Sequence, residues 1–201
     1  MSKIEAHLLP AYNNNIKLKN LVKQYKNYCT IRRDLRTASQ ICDYVIDVHS
    51  KLINDEIKLA DIANSSFLIR ASVMHAIILY GRWFKATEGK PKLDAKEFFD
   101  AKSNKMVIHN KIIDHRDRYI AHNELDLLGV DRVWINTNND NKFISSESDW
   151  LEQMWLQDTD LNMATFRDCV HIVHNKIDAS IIPKKQQDLD YFLIFILGKA
   201  L

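Results

Sequence analysis

Residues 64–84, "NSSFLIRASVMHAIILYGRWF", decide the fold class. Apolar residues recur nearly all round a 3.6-residue period there, which suits a helix enclosed by others rather than one lying on a surface. Asn64 or Ser65 suits its N-cap, and Trp83 and Phe84 extend its core-facing set. His75 and Arg82 lie on the same helix. A lone histidine in such surroundings reads as a packed, hydrogen-bonded residue rather than a ligand.

Upstream, Leu18, Leu21, Val22, Tyr25, Tyr28, Cys29 and Leu35 keep three-and-four spacing and predict a helix over residues 16–35. Ile41, Tyr44, Val45, Val48 and Leu52 predict a second over 37–53. Downstream, Gly89 and Pro91 break the central helix, residues 93–99 form a short amphipathic segment, and a further helix spans 104–125. After Gly129, "VWI" and "FI" flank an Asn-Asn-Asp-Asn turn, which predicts a β-hairpin over 130–146. A late helix follows, capped by Asp160 or Asn162 and ended before Pro183. The reading is an all-α bundle with a small β-hairpin insertion, a single domain over 1–201 whose C-terminal helices occupy 160–201.

The totals agree. A chain of 201 residues with 46% hydrophobic and 27% charged residues is globular in composition. Four glycines and three prolines are too few for a many-stranded sandwich or a glycine-rich phosphate loop. Cys29, Cys42 and Cys169 form neither a disulfide framework nor a zinc spacing, which fits a reducing cytoplasm. The first twenty residues lack a secretory pattern. The segment "YFLIFIL", residues 191–197, is too short to span a membrane and reads as a buried or dimer-docking terminal helix, so no membrane partner is expected. His171 and His174 lie three apart, but no carboxylate or cysteine stands at ligand spacing, so neither metal nor cofactor is called for.

Net charge is +2, yet residues 1–40 hold eight Lys or Arg against Glu5 and Asp34. Lys19, Lys23, Lys26 and Arg33 share one stripe of the first helix. Such a stripe is either a solvated face or a track for a phosphate backbone.

The helix over 104–125 carries the densest chemistry, "DHRDRYIAHNE", residues 114–124. With Ile113 at the centre of its buried stripe, joined by Met106 and Ile120, Arg116 falls at the stripe's edge and needs acceptors from another helix or chain. Arg118 and His122 are four apart and share a face. Two guanidiniums near His122 would disfavour its protonation and keep a neutral imidazole as base. Two cations beside a histidine suit a phosphodiester, arginine holding the phosphate and histidine moving a proton. The competing reading makes Asp114, Asp117 and Arg118 surface ion pairs and His122 a favourable residue at the helix C-terminus.

The string "RDRYIAH", residues 116–122, resembles the Arg-x(4–6)-His signature of the HEPN superfamily, in which a polar residue commonly follows the arginine. The order "ASVMHAIILYGRWF", a break, "EFFD" and "IIDHRDRYIAHNE" is similar to the abortive-infection, AbiU-like branch, over a motif core of about 64–126. That resemblance implies a HEPN-like helical bundle that dimerises and brings two motifs to a shared cleft. It also implies metal-independent endoribonuclease chemistry on RNA in phage defence or as a toxin, with an antitoxin or defence partner that the sequence does not name. Other members are non-catalytic modules that bind RNA, nucleotide or protein. By the same resemblance Arg116 binds the scissile phosphate, Asp117 orients neighbouring groups and His122 is the general acid/base. Arg118 matches no fixed family position, and its phosphate role rests on its spacing from His122; Lys19, Lys23 and Lys26 would contact substrate backbone. Glu124 stands where members silenced by nucleotide attachment carry tyrosine, so that control is not expected.

Overall fold

No proline or glycine interrupts residues 16–53, and one helix runs through the whole span. The computed structural model describes residues 10–54, 56–57, 66–86, 90–117, 133–137, 143–148 and 162–198, and these are mostly helical. A short helix α1 (Pro10–Asn14) leads into α2 (Ile16–Ile53), whose start is capped by Asn15 Oδ1 accepting from the Leu18 amide at 3.0 Å. The separate helices expected over 16–35 and 37–53 are therefore one. Thr37 does not cap a new helix, because its hydroxyl donates back to the Arg33 carbonyl within the same one.

Helix α3 (Ser66–Gly81) packs against α2 and against α4 (Asn104–Arg116). Asn64 and Ser65, its expected caps, lie outside the described residues. It ends three residues before the expected Phe84, although Trp83 and Phe84 are buried as the periodicity required. His75 is exposed rather than packed, so the enclosed-histidine reading is corrected: it sits on the side of α3 that no described helix covers. The segment over 93–99 shrinks to a 3-10 turn, Ala95–Glu97, with Asp94 accepting from the Lys96 amide at 3.0 Å.

Between α4 and α5 (Met163–Lys176) lie two antiparallel strands, β1 (Val133–Thr137) and β2 (Phe143–Ser148), with Val133 opposite Ser148 and Ile135 opposite Ser146. Asn162 caps α5 in a reciprocal box with Thr165. Pro183 does not end the late helix. The chain widens into a π turn, Ile177–Ile181, and continues as α6 (Ile182–Gly198). Pro183 then falls in the first turn of α6, where its missing N–H is tolerated.

The α5–π–α6 arm runs antiparallel to α2 in constant register. Arg167 bonds Asp43 at 3.2 Å, His171 meets Ser39 at 2.6 Å, and Asp178 pairs with Arg32 at 3.0 Å. Lys185 then reaches Gln24 at 3.1 Å, and Phe192 lies 4.8 Å from the Lys17 ammonium. The core is filled by Ile31, Leu35 and Val45 of α2, Ile69, Val73 and Tyr80 of α3, Ile108 and Ile112 of α4, and Phe166, Val170 and Val173 of α5.

Candidate functional site

Ser103 starts α4 by accepting from the Met106 amide, and the helix then buries Met106, Ile108, His109 and Ile112. The stripe is thus centred on His109 and Ile112, not on Ile113, which is half-buried. The shift has a chemical reason: His109 counts as polar in a sequence pattern but has a partner inside. Its Nδ1 lies 2.8 Å from the Tyr80 hydroxyl, and the ring is boxed by Phe84 at 4.5 Å and Phe99 at 5.3 Å. Burial pushes the imidazole down to about 4 and the Tyr80 phenol well above its ordinary value.

Moving the stripe moves Arg116 with it. Four residues beyond Ile112, Arg116 belongs to the buried face itself, with its side chain 24% exposed. The stem lies on the end of α3, where a Cβ added to Gly81 would sit 3.2 Å from Arg116 Cγ and 3.3 Å from Cδ. Glycine is what lets the guanidinium cross there. Arg116 Nη1 donates to Asp117 Oδ1 at 2.8 Å, while the buried Arg116 Nε has no hydrogen-bond partner among the described residues.

Asp117 is shared. Its second carboxylate oxygen pairs with Lys85 Nζ, from the turn after α3. Partial burial pushes this carboxyl up, but hydrogen bonds from Lys85 and then Arg116 outweigh it and hold the group below its ordinary value. A few residues away, Asp34 of α2 is buried at 4% exposure and accepts from Arg82 and, at 2.9 Å, from the Trp83 indole, with Arg33 3.7 Å away. Among the described residues, Asp34 thus pairs with Arg82 and Arg33, and Asp117 with Lys85 and Arg116, two cations to each carboxylate. Beside Arg116, the half-buried His115 has its pKa lowered by burial, Asp114 opposing the shift.

Arg118 and His122 lie outside the described residues, so Arg116 and Asp117 are the motif residues that the structure places. Asp114 is exposed. Lys19, Lys23 and Lys26 are on α2, a different helix from Arg116. Lys23 and Lys26 are exposed, whereas Lys19 donates to the Asn13 carbonyl at 2.9 Å and lies 5.9 Å from the Tyr12 ring. Lys85 is the residue that sequence reasoning missed. Its partner is far away in the chain, and no helical spacing links "GRWFK" to Asp117.

Among the described residues no group of three metal-capable side chains assembles, and no helix is long and apolar enough to cross a membrane. Comparison of the chain with family models, with curated proteins and with solved structures finds no match in any of the three.

Proposed function

We propose that the chain is a HEPN-type, metal-independent endoribonuclease of the cytoplasm, acting as a homodimer in phage defence or as a toxin held by an antitoxin. The supporting observation is the cation pair: Arg116 is laid over Gly81 and held by Asp117 beside Lys85, two cations to one carboxylate among the described residues. Such a pair suits a phosphate, whose charge grows as the reaction proceeds. In this reading the strand pair between α4 and α5 is an insertion in a HEPN-like bundle.

The reaction needs no protein nucleophile. The ribose 2′-oxygen attacks the adjacent phosphorus, its proton passing to a base. The bond from phosphorus to the 5′-oxygen breaks, and that oxygen takes a proton, leaving a 2′,3′-cyclic phosphate and a 5′-hydroxyl. His122 of one or both copies moves these protons. Arg116, Arg118 and Lys85 hold the phosphate, and Asp117 orients Arg116. Lys23 and Lys26 lie along the outgoing strand, with Lys19 beside them. A non-cutting module for RNA, nucleotide or protein is the second reading. It is favoured by the pairing of both Arg116 and Lys85 with Asp117, an arrangement suited to a static binding surface.

Incubating the purified chain with RNA in EDTA separates the two. Cleavage that persists in EDTA, leaves cyclic phosphate ends and falls about 10²-fold or more in His122→Ala supports the enzyme. RNA bound but never cut supports the module. Cleavage unaffected by His122→Ala overturns the assignment.

A further inference from the structure

Arg82 stands one residue after Gly81, over which the Arg116 stem crosses. Its Nη2 donates to Asp34 Oδ2, the same oxygen that accepts from the Trp83 indole at 2.9 Å, and its guanidinium carbon lies 4.9 Å from the centre of the Trp83 ring. Asp34 and Trp83 are both buried. The guanidinium plane is therefore fixed by a carboxylate at its edge and a ring against one face. The Arg82 side chain is still 33% exposed, and with the indole on one side that exposure falls to the opposite face.

Charge separates what this plane can take from what Arg116 takes. The Asp34 carboxylate sits directly on the Arg82 guanidinium and offsets its charge, but it leaves the flat π surface open. Such a surface accepts a nucleobase in stacking. Arg33 differs: its Nη2 stays 3.7 Å from Asp34 Oδ1, and its side chain is 74% exposed. Two guanidiniums thus flank one carboxylate, one held flat and the other loosely paired and open to an anion. A nucleotide offers the matching pair, a flat ring with a phosphate beside it.

Helix α2 extends the same line. Lys26 lies two turns before Arg33 on the same face, about 10 Å away, and Lys23 about 15 Å away; both are exposed. In the other direction, the chain from Gly81 to Lys85 joins Arg82 to the Arg116 crossing. A strand running from Arg116 to Lys26 therefore passes Arg82 and Arg33. Paired RNA has its bases stacked on one another and offers Arg82 no flat face. An acidic peptide would satisfy Arg33 but leave the Arg82 plane uncovered.

We infer that Arg82 is a base-stacking residue: the nucleobase beside the phosphate held at Arg116 lies on its open face, Arg33 takes the next phosphate, and the ligand is an unpaired stretch of RNA. This rests on RNA being the ligand of the Arg116 site, whether or not the chain cuts it. Asp34 is then a positioning residue, since it holds Arg82 flat without touching the strand.

Fluorescence anisotropy with a 2′-O-methyl RNA oligomer, which lacks the attacking hydroxyl and is not cut, tests it on the full chain. Moving a single abasic position along the oligomer should find one place where loss of the base weakens binding about tenfold. In Arg82→Lys, which keeps the charge beside Asp34 but not the plane, that penalty should vanish. The comparison is made within each protein, so a less stable variant does not imitate it. Arg33→Gln should keep the penalty and reduce the slope of log affinity against log salt by about 0.7. Binding with no abasic penalty at any position, a penalty that survives Arg82→Lys, tighter binding of duplex RNA, or no binding at all each overturns the inference. RNA cleavage in EDTA without an abasic penalty leaves the ribonuclease reading standing and removes Arg82 from it. An Arg82-dependent penalty in a chain that never cuts RNA upholds the stacking and removes the ribonuclease.

Discussion

Lowering the pH from 7 to 5 perturbs one buried group for which a magnitude follows. The His109 imidazole stands at about 4 in the folded chain, through burial, against an ordinary 6.5. A depressed histidine pKa means that the unfolded chain binds more protons. Its contribution is fully present above pH 6.5 and is lost as the pH falls toward 4. The whole gap is worth about 3 kcal/mol, of which about 2 is gone by pH 5. For a chain of this size that lowers the midpoint of thermal unfolding by about 4–8 °C. His115, also lowered by burial, adds to the parent's slope with the same sign. The comparison is therefore with a Tyr80→Phe/His109→Leu variant, which removes both polar partners together and leaves no buried hydroxyl unpaired. Urea unfolding at the two pH values should show the parent losing about 2 kcal/mol more than the variant. Equal losses, or an NMR titration placing His109 near 6.5, would refute the reasoning.

Two other perturbations are sharp enough to measure. Asp34→Ala strands Arg82 and the Trp83 indole beside a buried gap, and should cost about 2–4 kcal/mol in urea unfolding, with Asp34→Asn milder because it still accepts from the indole. Gly81→Ala gains helix propensity but pushes the Arg116 stem by a few tenths of an ångström. Stability should stay within about 1 kcal/mol while RNA cleavage or binding falls, and unchanged RNA handling would show that the Arg116 position is not used.

Apolar period made the helices legible in the sequence, but not where they stop. Thr37 looks like a start signal in one dimension, and only in the folded chain does its hydroxyl turn back to Arg33 and let the helix continue. Pro183 looks like a terminator, and the π turn before it could not be foreseen because nothing in "IDASI" announces i to i+5 bonding. The site was half visible. Arg116 and Asp117 stand out by local density, but centring the stripe on Ile113 puts Arg116 at its edge, whereas the buried His109 and Ile112 put it on the stripe itself. What makes the stripe wider is a hydroxyl contributed by another helix. Lys85 and Asp34 join the cluster through contacts between segments tens of residues apart, and no period along one helix encodes those.

The constant register between α2 and the α5–π–α6 arm ties a helix near the beginning of the described chain to one near its end. Core residues such as Ile31 and Leu35 can be covered by α3 as soon as residues 66–81 have been made. Leu18 and Val22 lie in the half of α2 whose register partners are on α6, between Lys185 and Phe192, and both are buried in the finished protein. During synthesis that half of α2 therefore waits, apolar side outward, until α6 has emerged. Its stretch of lysines keeps the waiting helix in solution, and the native pairing closes only once residues 182–198 are free to fold back.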